Sequence, residues 1–346
     1  MPVIQRYKWD EWADAQYERF QADAPIIAAV DTETSGVAFH DHTFCVTMTW
    51  RSPAGDLVSC YIDTDEDVPG YERRRDIVRS MLDAVPHWVF HNAKFDLQKL
   101  TLDGMLPKRT VRVDDTQTIF NLMDENARKG LKPLARSILG EETNDEENLR
   151  KARRKYKLTK DDGYHLLPRR WVVPYAMRDT EFTLRLYEVL WPKLEKRAQV
   201  DPQIMDVYEE ELAVSEVLRR WEANGFLLNL DYLREKVDEY SIRVMNGWLA
   251  IQKLAETEDP KFPNSPKQIS AAFKARGHTL PDTTEDTLKV LDDDLARALL
   301  AYRSDKKMHT TYLKGLLDEQ QDGIVHPWFN PTGARTGRMS SGKAAA

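Results

Sequence analysis

The stretch Pro25-Ile-Ile-Ala-Ala-Val-Asp-Thr-Glu33 decides the fold of the first half of the chain. Its apolar residues predict a buried strand that ends at two carboxylates. Asp31 and Glu33 are two residues apart on this strand, so their side chains leave the same face. Such a pair can chelate a hard divalent cation through oxygen ligands. A solvated strand end explains the same pair equally well when it is taken alone.

A second acidic segment reads Asn92-Ala-Lys-Phe-Asp96 and follows a short apolar strand that begins at Trp88. It leads into a predicted helix. The amide of Asn92 can donate hydrogen bonds, and the ring of Phe95 offers a face for a base or sugar. Capping of the helix by Asn92, with Asp96 in the first turn, is the simpler explanation of this segment by itself.

A third segment reads Tyr175-Ala-Met-Arg-Asp179. Tyr175 and Asp179 are four residues apart on a predicted helix and therefore share one face. Pro174 stands where a helix start favours proline. A tyrosine hydroxyl at this place can orient an attacking water, since its ordinary pKa near 10 makes it a poor general base. A surface pair is again the alternative.

The three segments together point to a two-metal nuclease. Four carboxylates gathered in one pocket repel one another unless a cation lies among them. Two divalent ions held by carboxylates can generate a hydroxide and stabilise the leaving oxygen of a phosphodiester. We therefore expect the three segments to meet at one edge of a sheet.

The remaining pattern predicts an α/β layered domain followed by a nearly all-helical region, with a charged, partly irregular insertion over 141–172 and a boundary near Asp201-Pro202. Strands are predicted at 25–30, 43–50, 56–62, 88–90 and 111–114. Helices are predicted at 72–84, 95–102, 116–123, 131–139, 175–193, 205–224, 230–256, 266–275, 284–291 and 295–319.

Composition limits the class of protein. The 346 residues carry a net charge of −7, which argues against a protein that coats nucleic acid but allows an enzyme with local basic patches, such as those over 150–160 and 303–343. No apolar run approaches the ~20 residues of a membrane span, and no secretory signal precedes the first domain, so the cytoplasm (of the host, for a viral protein) is expected. Cys45 and Cys60 are expected to be buried free thiols.

The three acidic segments resemble the exonuclease motifs of the tyrosine subgroup of DEDD 3′–5′ exonucleases, which have a ribonuclease H-like fold. The resemblance implies two divalent metal ions, Mg²⁺ or Mn²⁺. It makes Asp31, Glu33 and Asp179 ligands of one ion, with Asp31 shared, and Asp96 a largely water-mediated ligand of the other. Tyr175 would orient the nucleophile, and Gly130-Leu-Lys-Pro-Leu-Ala135 is similar to the helix between the second and third motifs. Thr34, Asn92 and Phe95 would line the path of the 3′-terminal nucleotides.

The second half resembles family A (bacterial polymerase I-like, including phage) DNA polymerases. Tyr208 to Leu230 is similar to their exonuclease-to-polymerase helix, and Phe329-Asn-Pro-Thr-Gly-Ala-Arg-Thr-Gly-Arg-Met-Ser-Ser341 to the return from thumb to palm. The resemblance implies an exonuclease domain over 1–197 and a helical linker and thumb-like region over 198–346. The basic and hydroxyl groups of this return segment suit contact with DNA phosphates, namely those of Arg335, Arg338, Ser340 and Ser341.

The palm motifs of that family have no counterpart here, because no Asp or Glu follows Asp322. Nucleotidyl transfer by this chain alone is therefore not expected. The sequence predicts a metal-dependent 3′–5′ exonuclease that removes nucleotides from single-stranded or frayed DNA primer ends. Alternatives are a ribonuclease of the DEDD class and a non-catalytic DNA-binding or assembly subunit of a split polymerase, partnered by a separate palm and fingers chain.

Overall fold

The computed structural model describes residues 8–159, 162–334 and 336–342. A five-stranded mixed sheet with the order β3-β2-β1-β4-β5 organises the first half of the chain. The first three strands form an antiparallel meander, whereas β4 and β5 run parallel to β1. The strands are β1 (Ile27–Thr34), β2 (Thr43–Arg51), β3 (Leu57–Asp63), β4 (His87–Phe90) and β5 (Arg112–Asp115).

Helices cover both faces of this sheet. They are α1 (Trp9–Asp23), α2 (Tyr71–Ala84), α3 (Ala93–Leu102), α4 (Thr116–Met123), α5 (Leu131–Leu139), α6 (Asp145–Lys155), α7 (Arg169–Ala198) and α8 (Gln203–Asn224). Residues of α1, α2 and α3 pack on one side around Trp50 and Cys60. Residues of α6 and α7 pack on the other side around Phe44 and Cys45. This alternation follows from the two-residue period of a strand.

The two cysteines confirm the expectation of buried free thiols. Cys45 belongs to the core under α6 and α7, and Cys60 belongs to the core under α1 and α2. The two thiols therefore lie on opposite faces of the sheet. No helix in the described part of the chain is both long and apolar enough to span a membrane.

The chain divides into two compact units. The first comprises 1–224 and 327–346, and the second comprises 225–326. The second unit holds α9 (Leu230–Ala255), α10 (Pro266–Ala275), α11 (Glu285–Lys289), α12 (Asp294–Lys307) and α13 (Lys314–Glu319), with short strands β6 (Phe226–Leu227) and β7 (Ile324–Val325). Its core gathers Ile251, Phe273, Leu295 and Leu299. The predicted division between residues 197 and 198 stays a prediction, because compact units and functional domains need not share a boundary.

The last described segment returns to the first unit. It forms a hairpin of β8 (Trp328–Asn330) and β9 (Ser340–Gly342). Glu222 of α8 accepts a hydrogen bond from the backbone N–H of Phe329 at 2.6 Å, and Lys129 donates to the carbonyl of Thr332 at 2.8 Å. These contacts hold the hairpin against the helices that surround the sheet.

Several element boundaries differ from the sequence-based prediction. Helix α1 was not expected, since only Ala13 and Phe20 of its residues are buried. The insertion over 141–172 contains a regular helix, α6, whose first turn is acidic and whose last turn is basic, an order that the helix dipole favours. The predicted helix over 295–319 is interrupted by a π-helical turn, Met308–Leu313.

Candidate active site

A cleft of about 610 Å³ lies at the carboxyl end of β1, where the first turn of α3 and the first half of α7 meet. All five residues that the sequence singles out for catalysis line it, namely Asp31, Glu33, Asp96, Tyr175 and Asp179. The last residue of β1, the loop residues 35–38 and Asp41 also line it. The structure therefore brings together three segments that are far apart in the chain.

The end of β1 places the first acidic pair and a supporting threonine on opposite faces. Asp31 and Glu33 reach the cleft half-buried. Thr32 between them is buried, and both its backbone N–H and its hydroxyl donate to Oδ1 of Asp96, at 2.9 and 2.7 Å. The strand therefore carries two carboxylates of the cleft, Asp31 and Glu33, and also fixes the orientation of a third, that of Asp96 on α3.

The start of α3 is not capped by Asn92. Asn92 occupies the N-cap position with φ of 73°, and its side chain makes no capping hydrogen bond. Asp115, at the end of β5, accepts instead from the backbone N–H groups of Asn92 and Ala93 at 3.1 and 2.8 Å. The capping explanation of Asn92 is therefore wrong, and Asn92 is one of the residues that line the cleft.

Helix α7 begins at Arg169, six residues before Tyr175, so the prediction that Pro174 starts the helix is wrong. Pro174 lies inside the helix, where it cannot donate a backbone hydrogen bond. The extra turn is anchored by Arg169, whose guanidinium binds Asp63 at 2.6 Å and Asp65 at 2.5 Å. Tyr175 and Asp179 still share the cleft-facing side, as their spacing predicted.

Lys132 of α5 contacts this acidic centre. Its ammonium forms a buried ion pair with Oδ1 of Asp179. It also lies 4.6 Å from the centre of the Tyr175 ring and 5.2 Å from that of Phe182. The sequence analysis did not single out Lys132. Its signal was a lysine three residues before the buried Ala135, in phase with the helix face that meets the core.

Burial and mutual repulsion disfavour ionisation of the four carboxylates. Burial, followed by the charges of Asp96, Glu33 and Asp179, raises the pKa of Asp31 well above its ordinary value. Burial raises the pKa of Glu33 to about 8 and that of Asp96 to about 7. The pKa of Asp179 rises only to about 6, because Lys132 opposes the effect of burial. The charge of Lys132 offsets one of the four carboxylates, that of Asp179.

The donor set fits hard divalent cations by its chemistry. Four carboxylates face one cleft, and such oxygen ligands are those that Mg²⁺ and Mn²⁺ prefer. Across residues 8–159, 162–334 and 336–342, no group of three or more His, Cys, Asp or Glu side chains is spaced to hold an ion as it stands. In this arrangement Oδ1 of the Asp179 carboxylate is paired with the ammonium of Lys132.

The predicted DNA contacts fall into two groups. Thr34, Asn92 and Phe95 line the cleft. The Phe95 ring lies 6.0 Å from the ring of Trp328 in β8, centre to centre. The structure does not bring the remaining candidates into the cleft: Arg338, Ser340 and Ser341 are exposed on or beside β9. Arg335 lies outside the described residues.

The charged insertion contributes to the cleft, which the sequence did not reveal. Arg153 of α6 and Tyr164 of the turn before α7 both line it. The ring of Tyr164 lies 6.0 Å from that of Tyr175, and the guanidinium of Arg153 lies 5.7 Å from the Tyr164 ring. A basic and an aromatic group therefore stand beside the predicted nucleophile-orienting tyrosine.

Comparison with known proteins finds two matching families. The family model described as 3′–5′ exonuclease matches residues 13–195, and that of DNA polymerase family A matches residues 231–344. A DNA polymerase of Escherichia phage T5 is 29% identical over 90% of the chain, which spans 39% of that protein. DNA polymerase I of Chloroflexus aurantiacus is 28% identical over 72% of the chain, which spans 27% of it. The chain thus spans well under two thirds of these relatives.

A solved structure shares the fold. The POL domain of Pol1 from M. smegmatis, determined in complex with DNA primer-template and dNTP, superposes with a TM-score of 0.67 at 21% identity. The match covers 94% of this chain and 53% of that one.

Proposed function

Because the chain belongs to the 3′–5′ exonuclease family and is a family A DNA polymerase-like protein, we propose that it removes nucleotides from DNA 3′ ends by two-metal-ion hydrolysis. The observation that carries the proposal is the convergence of Asp31, Glu33, Asp96, Tyr175 and Asp179 on one cleft. The same reasoning makes the first unit a ribonuclease H-like domain, since its sheet joins an antiparallel meander to two parallel strands under helices on both faces.

Asp31, Glu33 and Asp179 would hold one divalent ion, and Asp96 with Asp31 would hold the second. When bound, such a pair of ions supplies an activated water and stabilises charge on the leaving oxygen. The protein's own part is positioning: Thr32 fixes the Asp96 carboxylate through two hydrogen bonds. A carboxylate held in this way needs little rearrangement to act as a ligand.

Tyr175 would orient the attacking water without taking its proton. Burial, followed by the charges of Asp179 and Glu33, raises the pKa of Tyr175 well above its ordinary value. Its hydroxyl therefore keeps its proton at neutral pH and can direct a water by hydrogen bonding. The ring of Phe95 and the amide of Asn92, two residues that also line the cleft, would contact the terminal nucleotides.

The hydroxyl and basic groups of the β8–β9 hairpin would contact the sugar–phosphate backbone of DNA. Arg338, Ser340 and Ser341 are exposed, as phosphate contacts require. Since the family model that matches residues 231–344 is that of DNA polymerase family A, DNA is the substrate we propose, ahead of RNA.

The test is degradation of a 5′-labelled single-stranded DNA by the full chain, with Mg²⁺, with Mn²⁺ and with EDTA. Asp31→Asn should lower the rate at least ~100-fold, because metal ions contribute several kcal/mol of transition-state stabilisation. Asp231→Asn is the matched control, since that carboxylate is exposed on α9 and should leave the rate unchanged.

Three outcomes would overturn parts of the proposal. Full activity of Asp31→Asn, or activity in EDTA, contradicts the metal site. Faster degradation of an RNA of the same sequence replaces the DNA exonuclease by a ribonuclease of the same class. Equal rates on matched and mispaired primer ends contradict a preference for frayed 3′ ends.

A further inference from the structure

Lys132 contacts the acidic centre from the protein interior and not from the cleft. It is buried and is not among the residues that line the cleft, although its ammonium pairs with Asp179, which does line it. The rings of Tyr175 and Phe182 enclose the same ammonium. A lysine that served only to fill space would not present its charge to one carboxylate of the four.

The charges make this placement consequential. Four carboxylates at close range strongly disfavour the fully ionised, metal-free cleft. One fixed positive charge relieves part of that repulsion. The same charge opposes the approach of a divalent cation, because like charges repel most where water is excluded. Lys132 must therefore act in opposite directions on the stability of the metal-free protein and on its affinity for metal.

We propose that Lys132 is a built-in counter-cation: a positioning residue that holds Asp179 when no divalent ion is bound and that competes with such an ion for this carboxylate. The inference rests on the proposed metal site. In this role, Lys132 sets the concentration of divalent ion at which the cleft becomes occupied. The charge of Lys132 also explains how the four carboxylates can lie close together in the folded protein before a divalent ion binds.

Metal affinity separates this role from a purely structural one. Lys132→Gln removes the charge but keeps a hydrogen-bond donor for Asp179. We expect Mn²⁺, titrated alone into the full chain by isothermal calorimetry at neutral pH, to bind about tenfold more tightly than to the unchanged protein, which corresponds to ~1.4 kcal/mol. Lys132→Arg keeps the charge and should leave the affinity within about twofold. A lost structural support would instead weaken binding, as loss of a ligand's supporting hydrogen bond does.

Thermal unfolding in EDTA supplies the second readout. Lys132→Gln should unfold at a lower temperature, and the double variant Lys132→Gln/Asp179→Asn should regain most of the loss, because it removes both charges of the pair. Arg74→Met is the matched control: this buried cation pairs with Asp10 and contacts none of the four carboxylates. Its loss of stability should be the same with and without Mn²⁺.

The outcomes are distinguishable. If the unchanged protein binds no Mn²⁺, the proposed metal site fails and the inference fails with it. If it binds Mn²⁺ but Lys132→Gln binds equally or more weakly, only the counter-cation role is overturned. Unfolding of Lys132→Gln that neither Mn²⁺ nor Asp179→Asn relieves also overturns it. Unfolding that Mn²⁺ reverses supports it.

Discussion

Glu222→Gln should destabilise the first unit strongly, because it strips the charge from one half of a buried ion pair. Lys94 of α3 and Glu222 of α8 are paired at 2.5 Å, with side chains 1% and 3% exposed. The Lys94 ammonium also lies 3.2 Å from the centre of the Trp328 ring. Removing one partner leaves the other charge buried and uncompensated, which costs about 3–5 kcal/mol of unfolding free energy.

The double variant Lys94→Met/Glu222→Leu should recover most of this loss. Burial lowers the pKa of Lys94 to about 8 in spite of the attraction of Glu222, so desolvation of the ammonium outweighs the pair's attraction. Apolar groups of similar volume remove that desolvation cost. The double variant still lacks the acceptor for the Phe329 N–H, which costs about 1 kcal/mol. The double variant should therefore lie within about 2 kcal/mol of the unchanged protein.

Urea denaturation followed by circular dichroism measures Glu222→Gln together with a closed cycle of the unchanged protein, Lys94→Met, Glu222→Leu and Lys94→Met/Glu222→Leu. We expect a coupling energy of at least about 3 kcal/mol between the two positions. A loss below about 1 kcal/mol for Glu222→Gln would show that water reaches the pair. A double variant as unstable as the sum of its single variants would show that the two side chains act through separate contacts.

Three further outcomes test the site and its supports. In EDTA the chain should lose stability as pH rises from 5 to 8, because the pKa of Glu33 is raised from 4.5 to about 8 in the folded state, which therefore binds a proton that the unfolded state has lost. Glu33→Gln removes this group, so the fall in unfolding free energy between pH 5 and pH 8, followed by thermal unfolding, should become smaller by between about 1 and 4 kcal/mol. Tyr175→Phe removes the hydroxyl proposed to orient the water but keeps the ring beside Lys132. The rate of DNA degradation should therefore fall by up to about 10²-fold with little change in KM. Asp115→Ala removes the acceptor at the starts of both α3 and α4 and should lower the unfolding free energy, measured by urea denaturation, by about 2–3 kcal/mol. Asp115→Asn keeps a side-chain oxygen as acceptor and should therefore preserve more than half of this contribution to stability.

Local patterns in the sequence predicted most elements of the sheet and its helices. The strand that carries Asp31 and Glu33 was expected because its apolar run is continuous, and the structure places both side chains at the cleft. Helix α1 was missed because few of its side chains are apolar and buried. The first turn of α7 was missed because Pro174 is a stronger local signal than the ion pairs of Arg169 with two distant aspartates.

The supporting residues of the site were the least accessible to prediction. Asp115 caps a helix that begins at another part of the chain, and Thr32 donates to a carboxylate 64 residues away. Arg153 and Tyr164 come from an insertion whose basic run predicted a local patch on the protein but not a place in the cleft. None of these partners is set by spacing along the chain.

By itself, the sequence determined which side chains could perform hydrolysis and which of them share a strand or a helix face, because periods of two and 3.6 residues follow from backbone geometry. Only the tertiary structure decided that the three segments meet, that Lys132 pairs with Asp179, and that Asp115 replaces Asn92 as the cap of α3. These contacts depend on how helices pack across a sheet, which is set by the burial of many distant side chains together.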